Sequence, residues 1–299
     1  MHAGTVGPGE LYALSCALAW AVAVILFKKS GESLAPFALN LFKNALALVL
    51  LGLTILVLEG PALPPIPPAA LALTLLSGAL GIGIADTLYF HALNAVGASR
   101  MAVAQTLYSP FVILLSLLFL GEHLGLGQCA GVVLVLAGIL LVTYVRDQRP
   151  RDAQRIRRGV AQAALSMLLM AIGIVIAKPM LERYGFLWVV ELRILGGFLG
   201  MLVEALLFRR IGPLFGAYRN VRHWPQVIAG AFVGTYVSML LWLAGYKYTQ
   251  ASIAAVLNEL AAVFILLFAV LILRERATLR QASGVLVAVT GVVLVVALR

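Results

Sequence analysis

A few charged side chains lie inside long apolar runs of this sequence, and their types could bind a solute or move a proton. Glu259 lies about eight residues into the run that begins at Ala251. Lys43 and Arg193 each lie seven residues into two other runs. Because an ion in membrane hydrocarbon costs at least a few kcal/mol, such residues are functional candidates.

Each of these residues has two interpretations. Glu259 is either a substrate or proton site, or a structural carboxyl group that bonds to a neighbouring helix or stays neutral. Lys43 and Arg193 either neutralise a substrate carboxylate or a neighbouring acid, or they are structural cations paired with Glu191 or a carbonyl.

Asp86 and Tyr89 lie one helical turn apart and share a helix face. This pair indicates either the inner mouth of a cavity or an interfacial carboxylate. Lys178, near the end of its own apolar run, is expected to reach the lipid headgroups.

Aromatic residues in the apolar runs could line a cavity for amphipathic solutes by stacking or by cation–π contact. They include Trp20, Tyr108, Tyr236 and Trp242. The complete set of candidate substrate-binding residues is Lys43, Asp86, Tyr89, Gln105, Tyr108, Glu191, Arg193, Tyr236, Trp242, Asn258 and Glu259.

Motifs for enzymatic chemistry are missing from the sequence. It has no His-Glu-x-x-His, no Gly-x-Ser-x-Gly and no phosphate-binding Gly-x-x-x-x-Gly-Lys-Ser/Thr. Cys16 and Cys129 lie in apolar runs and are expected to be ordinary small residues. We therefore predict no enzyme, no metal site, no cofactor and no direct use of ATP.

The elements that must position these residues are membrane-spanning helices. The 299 residues are 63% hydrophobic and 11% charged, whereas soluble domains are about a quarter charged. A span needs about 20 apolar residues, and the sequence contains ten such runs. They are residues 11–27, 36–58, 68–90, 98–120, 126–145, 159–181, 186–208, 224–245, 251–273 and 279–298, numbered here as spans 1 to 10.

Since Glu10 but no Lys or Arg precedes span 1, we expect a retained span rather than a signal peptide.

The net charge of +10 is carried mainly by one set of loops. Loops after odd-numbered spans hold fifteen Lys and Arg residues, and the opposite side holds three. Cytoplasmic loops are enriched in these residues, so we predict that odd-numbered loops are cytoplasmic and both termini are outside. The expected location is the cell (inner) membrane, with lipids rather than nucleic acid as the partner of the basic loops.

The two halves of the chain are related by an offset of 153 residues. Under this offset Gly81 matches Gly234, and Gln105 matches Asn258. The predicted units are residues 1–145, an Arg-rich cytoplasmic linker at 146–158, and residues 159–299. Because each unit has five spans, the second must enter the membrane from the opposite side, as in many transporters.

Pro110 removes a helix hydrogen bond in span 4 and frees the carbonyl of Thr106. The equivalent residue of span 9 is Val263. The sequence therefore predicts a break in span 4 without a counterpart in span 9. It is either a substrate-coordinating break or a simple kink.

Two matching motifs resemble the EamA-type, ten-helix members of the drug/metabolite transporter superfamily. They are Phe119-Leu-Gly-Glu122 followed by Gln128, Gly131 and Gly138, and Ile272-Leu-Arg-Glu275 followed by Gln281, Gly284 and Gly291. The second motif departs from the pattern at Arg274, where Gly is usual. The resemblance implies a central cavity lined by spans 1–4 and 6–9, with spans 5 and 10 at the periphery.

The sequence thus predicts an all-α membrane protein of ten transmembrane helices in two inverted five-helix repeats. The predicted function is a secondary transporter that exports small polar or amphipathic metabolites, chiefly amino acids, by alternating access. The alternatives are transport of quaternary amines, nucleobase-like metabolites or drugs, and a membrane scaffold or receptor that transports nothing.

The glycines of spans 5 and 10 predict close packing. The protein is expected to be a monomer or a homodimer through these spans.

Overall fold

The computed structural model describes residues 6–30, 34–96, 101, 104–143, 153–208, 211–219, 221, 223–273 and 278–298. In the first half the helices are α1 (Pro8–Ser30), α2 (Pro36–Leu58), α3 (Pro68–Gly78), α4 (Ala85–Val96), α5 (Tyr108–Phe119) and α6 (Leu126–Thr143). In the second half they are α7 (Ala153–Arg183), α8 (Phe186–Leu207), α9 (Ile211–Arg219), α10 (Trp224–Ala231), α11 (Ser238–Tyr248), α12 (Ala251–Asn258), α13 (Ala261–Leu273) and α14 (Leu279–Ala297).

These helices account for the ten predicted spans. Within the described residues, seven helices are long and apolar enough to cross a membrane. Three shorter apolar helices, Pro8–Val24, Tyr108–Phe119 and Leu126–Val142, occupy the positions of spans 1, 4 and 5. Large apolar side chains such as Val57 (80%) and Leu286 (71%) are exposed on the bundle surface, where lipid would cover them. The predicted all-α membrane fold is confirmed.

The C-terminal part of the predicted linker is helical. Residues 144–152 lie outside the described residues, and residues 153–158 already form the first turns of α7. The Arg-rich segment Arg155–Arg158 is therefore helical and continuous with span 6.

Spans 3 and 8 carry matching irregularities. Span 3 is interrupted by the π-helical segment Ala79–Ile84 and span 8 by Phe232–Val237. The two segments are related residue for residue by the offset of 153. Since π-helical turns are rare and concentrate at functional sites, their duplication identifies an equivalent feature of both repeats.

The helix breaks of spans 4 and 9 are also duplicated, which the sequence did not predict. Span 4 turns at Thr106 and Leu107, and span 9 turns at the equivalent Glu259 and Leu260. In both turns an amide bonds three residues back, from Leu107 to Ala104 and from Leu260 to Leu257. The expectation of an unmatched break was wrong, because a span without proline can also break where a side chain enters its hydrogen-bond ladder.

Ser109 of span 4 contacts span 9 at its break. The Ser109 hydroxyl lies 3.3 Å from the Ala255 carbonyl oxygen and 2.9 Å from a Glu259 carboxylate oxygen. The two breaks therefore meet at the centre of the bundle.

The two halves pack with inverted symmetry. Span 3 packs against spans 6 and 7, and span 8 packs against spans 1 and 2. Span 4 packs against span 6, as span 9 packs against span 1. These contacts of the first half with the second are thus repeated with the halves exchanged, and the cavity forms along this interface.

Spans 5 and 10 pack against each other through their glycines. A Cβ atom on Gly131 would lie 2.7 Å from the Gly291 carbonyl oxygen, and one on Gly284 would lie 2.7 Å from that of Gly138. Only glycine allows the two backbones to approach so closely. These glycine faces contact each other within one chain, so the predicted homodimer would need other faces of the same spans.

The short helix α9 lies outside the spans and is held against the start of α2 by Tyr218. Its hydroxyl donates to the Ala38 carbonyl at 2.9 Å, and its ring centroid lies 6.4 Å from that of Phe42. Burial raises the pKa of Tyr218 to about 12. The hydroxyl therefore remains a donor at neutral pH, and this contact holds the connection between spans 7 and 8 against span 2.

Candidate functional site

A cavity of about 160 Å³ lies between the two repeats. It is lined by residues of spans 1–4, 6, 8 and 9. The family resemblance implied that span 7 also lines the cavity. Among the described residues, span 7 contributes none to the lining. Eight of the eleven sequence candidates line the cavity: Lys43, Asp86, Tyr89, Gln105, Tyr108, Trp242, Asn258 and Glu259.

The π-helical segments supply part of the wall. Gly81 and Gly234, which are equivalent under the repeat offset, both line the cavity. A Cβ atom at Gly81 would contact the helices behind this wall, 3.3 Å from the Nη2 atom of Arg193 and 3.6 Å from the Cα atom of Gly173. The irregular part of each repeat thus coincides with the site.

Lys43 and Asp86 form an ion pair in the cavity wall. The Lys43 ammonium donates to a carboxylate oxygen of Asp86 at 3.0 Å. The Lys43 side chain is buried, whereas that of Asp86 is 19% exposed. Since a buried charge is tolerated when it is paired, Lys43 neutralises a neighbouring acid, and Glu191 is not its partner.

Tyr89 and Gln105 form a second polar pair on the same side of the cavity. The Tyr89 hydroxyl lies 3.4 Å from the Gln105 side-chain oxygen, at the long limit for a hydrogen bond. The Phe90 ring meets the Tyr89 ring edge to face at 5.5 Å between centroids. This part of the wall therefore combines apolar ring surface with polar edges.

Hydroxyl groups surround the break of span 9. Glu259 is 8% exposed, and its carboxyl group accepts a hydrogen bond from Ser109 at 2.9 Å. The hydroxyls of Tyr108 and Tyr246 are 2.6 Å apart and share a hydrogen bond. Glu259 thus lines the cavity and also bonds to a neighbouring helix, as the structural interpretation expected, while its role as a substrate or proton site stays a prediction.

Arg193 lies directly behind the cavity wall and is fully buried. Its Nη1 atom lies 3.4 Å from the Gly173 carbonyl oxygen. Its Cζ atom lies 5.4 Å from the centre of the Trp242 ring. No carboxylate lies within ion-pair distance of Arg193 among the described residues, so the alternative pairing with Glu191 is wrong.

Glu191 and Tyr236 do not line the cavity. Glu191 is half-buried and lies near Gly52 of α2. The Tyr236 hydroxyl lies 2.6 Å from that of Thr54 and ties span 8 to span 2. Both are helix–helix contacts, and the structure does not bring them together with the other candidates.

A polar network closes one end of the bundle, which we call the closed end. The network is formed by Glu10, Glu122, Lys178, Thr249 and Ser252. The Glu122 carboxylate accepts hydrogen bonds from the Ala251 and Ser252 amides at 2.6 and 3.0 Å and from the Ser252 hydroxyl at 2.8 Å. The Thr249 hydroxyl donates to Glu10 at 2.8 Å. Span 4 of one half thereby caps span 9 of the other, because a helix N-terminus favours an anion.

Lys178 completes the closed end. Its ammonium donates to the carbonyls of Tyr246 and Thr249 at 2.8 and 2.7 Å and pairs with Glu182 at 2.9 Å. It lies 4.0 Å from Glu122. The expectation that Lys178 reaches the headgroups was wrong, since this side chain is buried at the interface between the halves.

The backbone conformation explains why the first motif has glycine at position 121. Its φ angle is +65°, a conformation that costs glycine little and most other residues more. The turn it forms places Glu122 against span 9. The departing residue of the second motif, Arg274, lies outside the described residues.

The lining also contains a cysteine and several uncharged polar groups. Among the described residues, no three His, Cys, Asp or Glu side chains are close enough to hold a metal ion. Cys16 lines the cavity as a free thiol, and its Sγ atom lies 3.4 Å from the Ser238 carbonyl oxygen. Among the lining residues, Thr235, Ser238 and Asn258 each have a buried side-chain oxygen without a hydrogen-bond partner in the described part of the chain, and these atoms are available to a polar solute.

Sequence reasoning missed several polar residues of the site, notably Ser109, Thr235, Ser238 and Tyr246. Hydroxyl side chains in spans give little signal, because many bond to their own helix, as Thr74 does to the Ala70 carbonyl at 2.8 Å. A usable signal for Ser109 was its position within one turn of Pro110 and Gln105.

Comparison with known proteins gives a consistent result. The sequence profile of the EamA-like transporter family matches residues 7–144 and 157–297. A protein of Archaeoglobus fulgidus described as an uncharacterized transporter is 22% identical over 284 residues, which are 95% of this chain and 96% of that protein. An uncharacterized protein of Pseudomonas aeruginosa is 32% identical over 138 residues, 46% of each chain.

A protein of known crystal structure has the same fold as this chain. It superposes with a TM-score of 0.78, covers 96% of this chain and 95% of its own, and is 18% identical in sequence. At this identity the likeness concerns the fold alone. The two profile matches coincide with the two sets of five spans.

Proposed function

Because this chain belongs to the EamA-like transporter family, we propose that it is a secondary transporter that exports small amphipathic metabolites, chiefly amino acids. Multi-pass membrane transport follows from the family, which is not an enzyme family. The substrate class, the direction and the alternating-access mechanism are our proposal.

The observation that carries the proposal is a cavity at the interface of two inverted repeats, closed at one end of the bundle. Spans 2, 4 and 8 begin, and span 3 ends, at the end opposite the network around Glu122 and Lys178. The lining residues Lys43 and Phe90 lie towards that opposite end. Rocking one repeat against the other would expose such a site alternately to the two sides.

The size and walls of the cavity favour small amphipathic solutes. Its volume of about 160 Å³ is below the roughly 300–1,000 Å³ of pockets for drug-sized ligands. Rings of Trp20, Tyr89 and Trp242 offer apolar surface, and the carboxylates of Asp86 and Glu259 can accept hydrogen bonds from an amine. An amino acid with an apolar side chain matches both features.

The direction follows from the predicted orientation. If the loops rich in Lys and Arg are cytoplasmic, the end opposite the closed end faces the cytoplasm. The cavity would then load from inside, which favours export. The sequence contains no nucleotide-binding motif, so we propose that solute or proton gradients drive transport.

The test is solute counterflow with the purified full-length protein in liposomes. Vesicles loaded with unlabelled L-leucine should accumulate external radiolabelled L-leucine above protein-free vesicles. A panel of other amino acids should compete according to their apolar surface. No flux for any amino acid would overturn the substrate proposal.

Quaternary amines are the second candidate substrate class. The observation that favours them is the pairing of aromatic rings with carboxylates in one cavity, since a quaternary ammonium binds over ring faces. Choline flux without amino-acid flux in the same vesicles would select this candidate. Absence of flux and of any ligand-induced thermal shift would instead indicate a scaffold or receptor.

A further inference from the structure

We propose that Arg193 recognises a carboxylate of the substrate through the part of the cavity wall formed by Gly81 and Trp242. The inference rests on the proposed function and adds a required group to the substrate. Lys43, which lines the cavity, is already paired with Asp86 at 3.0 Å and is therefore not free to neutralise a substrate carboxylate.

Arg193 is a buried cation with no acid within ion-pair distance among the described residues. Its side chain is fully buried, and its Nε and Nη2 atoms have no hydrogen-bond partner among the described residues. The remaining Nη1 atom has a carbonyl contact of 3.4 Å. A buried guanidinium normally has a carboxylate or phosphate partner, because its N–H groups otherwise lose the hydrogen bonds that water gave them.

The free side of the guanidinium lies next to the cavity. A Cβ atom built on Gly81 would lie 3.3 Å from the Nη2 atom of Arg193. Gly81 lines the cavity, so no side chain at this position separates the guanidinium from the solute. Trp242 also lines the cavity and covers the face of the same guanidinium at 5.4 Å.

The position of Gly81 explains how the site could open and close. It belongs to the π-helical segment Ala79–Ile84, which packs against α8, the helix that carries Arg193. A shift of span 3 against span 7 during transport would change the access from the cavity to Nη2. Arg193 would then be a specificity-determining residue, because only a solute that carries a carboxylate could pair with its guanidinium.

Three probes with the same branched alkyl group separate the charges of an amino acid. L-leucine carries an amine and a carboxylate, isovalerate carries the carboxylate alone, and isopentylamine carries the amine alone. Binding to the full-length protein in nanodiscs is measured by calorimetry. The change in tryptophan fluorescence gives a second signal, because Trp242 lies against Arg193.

We expect Arg193→Gln to weaken L-leucine and isovalerate by about 10- to 100-fold, the loss typical of a hydrogen bond to a charged group. Isopentylamine binding should change less than twofold. Arg193→Lys should restore part of the lost affinity, since it keeps the charge. Gly81→Ala should weaken both carboxylates without removing any charge, and it keeps the test valid if Arg193→Gln fails to fold.

Several results would overturn the inference. An equal loss for all three probes in Arg193→Gln would mean that the guanidinium is structural. Unchanged carboxylate binding in both Arg193→Gln and Gly81→Ala would exclude contact with the solute. If the native protein binds isopentylamine but neither carboxylate, the inference fails while transport of amines stands. If it binds none of the three, the proposed function fails with it.

Discussion

The carboxylate of Glu122, at the end of span 4, accepts a hydrogen bond from the Ser252 hydroxyl, at the start of span 9, at 2.8 Å. Two backbone amides of the same helix end, those of Ala251 and Ser252, donate to the same carboxylate. The first repeat thus satisfies donors that the second repeat leaves unpaired at a helix N-terminus. With Lys178 nearby, this contact joins the halves at the closed end.

Replacement of Glu122 by Ala should destabilise the protein by about 1–3 kcal/mol, because it leaves buried amides without an acceptor. Thermal unfolding of the purified protein measures the effect. The matched control is Glu182→Ala, since the Glu182 side chain is 48% exposed and its pairing with Lys178 should contribute less than about 1 kcal/mol. Equal shifts in the two variants would contradict the interhelical cap.

Lys43 and Asp86 should behave as a coupled pair. Lys43→Gln and Asp86→Asn should each lower L-leucine counterflow, because each leaves a charge at the cavity without its partner. In a double-mutant cycle on thermal stability we expect a coupling of about 0.5–3 kcal/mol. Additive effects would mean that the 3.0 Å contact contributes no net interaction.

Glu259 should carry the coupling to protons. Glu259→Gln is expected to abolish accumulation driven by a pH gradient while leaving solute exchange, because the amide cannot take up and release a proton. Uptake into vesicles with and without an imposed gradient checks this. The control is Glu191→Gln, a half-buried carboxyl outside the cavity, which should keep its gradient dependence. Normal gradient dependence in Glu259→Gln would reject the role.

The contact between spans 5 and 10 should be sensitive to a single methyl group. Gly284→Ala places a Cβ atom 2.7 Å from the Gly138 carbonyl oxygen, so the helices must separate and the melting temperature should fall. Gly216→Ala is the control, because nothing lies within 4 Å of its Cβ position. Because helix propensity alone makes Gly→Ala stabilising, a fall of equal size in the control would contradict the packing explanation.

The predicted orientation has its own test. A reporter that is active only in the cytoplasm, fused after Arg299, should be inactive. The same reporter inserted in the loop after span 5, near Arg149, should be active. The reverse pattern would invert the orientation and, with it, the proposed direction of transport.

The sequence by itself determined the spans and the repeat, and it supplied eleven candidate residues, of which the structure places eight in the cavity wall. Apolar runs of membrane length are a local property, and duplication survives as a constant offset. A charged residue such as Glu259 stands out in a span because its burial is costly whatever the neighbouring helices are.

Only the tertiary structure decided which charges meet. Lys43 and Arg193 have the same depth and the same charge in the sequence, yet Lys43 pairs with Asp86, whereas Arg193 lies behind Gly81 with no ion pair within the part of the chain that the structure describes. Likewise, Lys178 is buried at the closed end although its sequence position resembles that of a headgroup anchor. Ion pairing depends on distances of a few ångströms between helices far apart in the chain, and span patterns do not encode those distances.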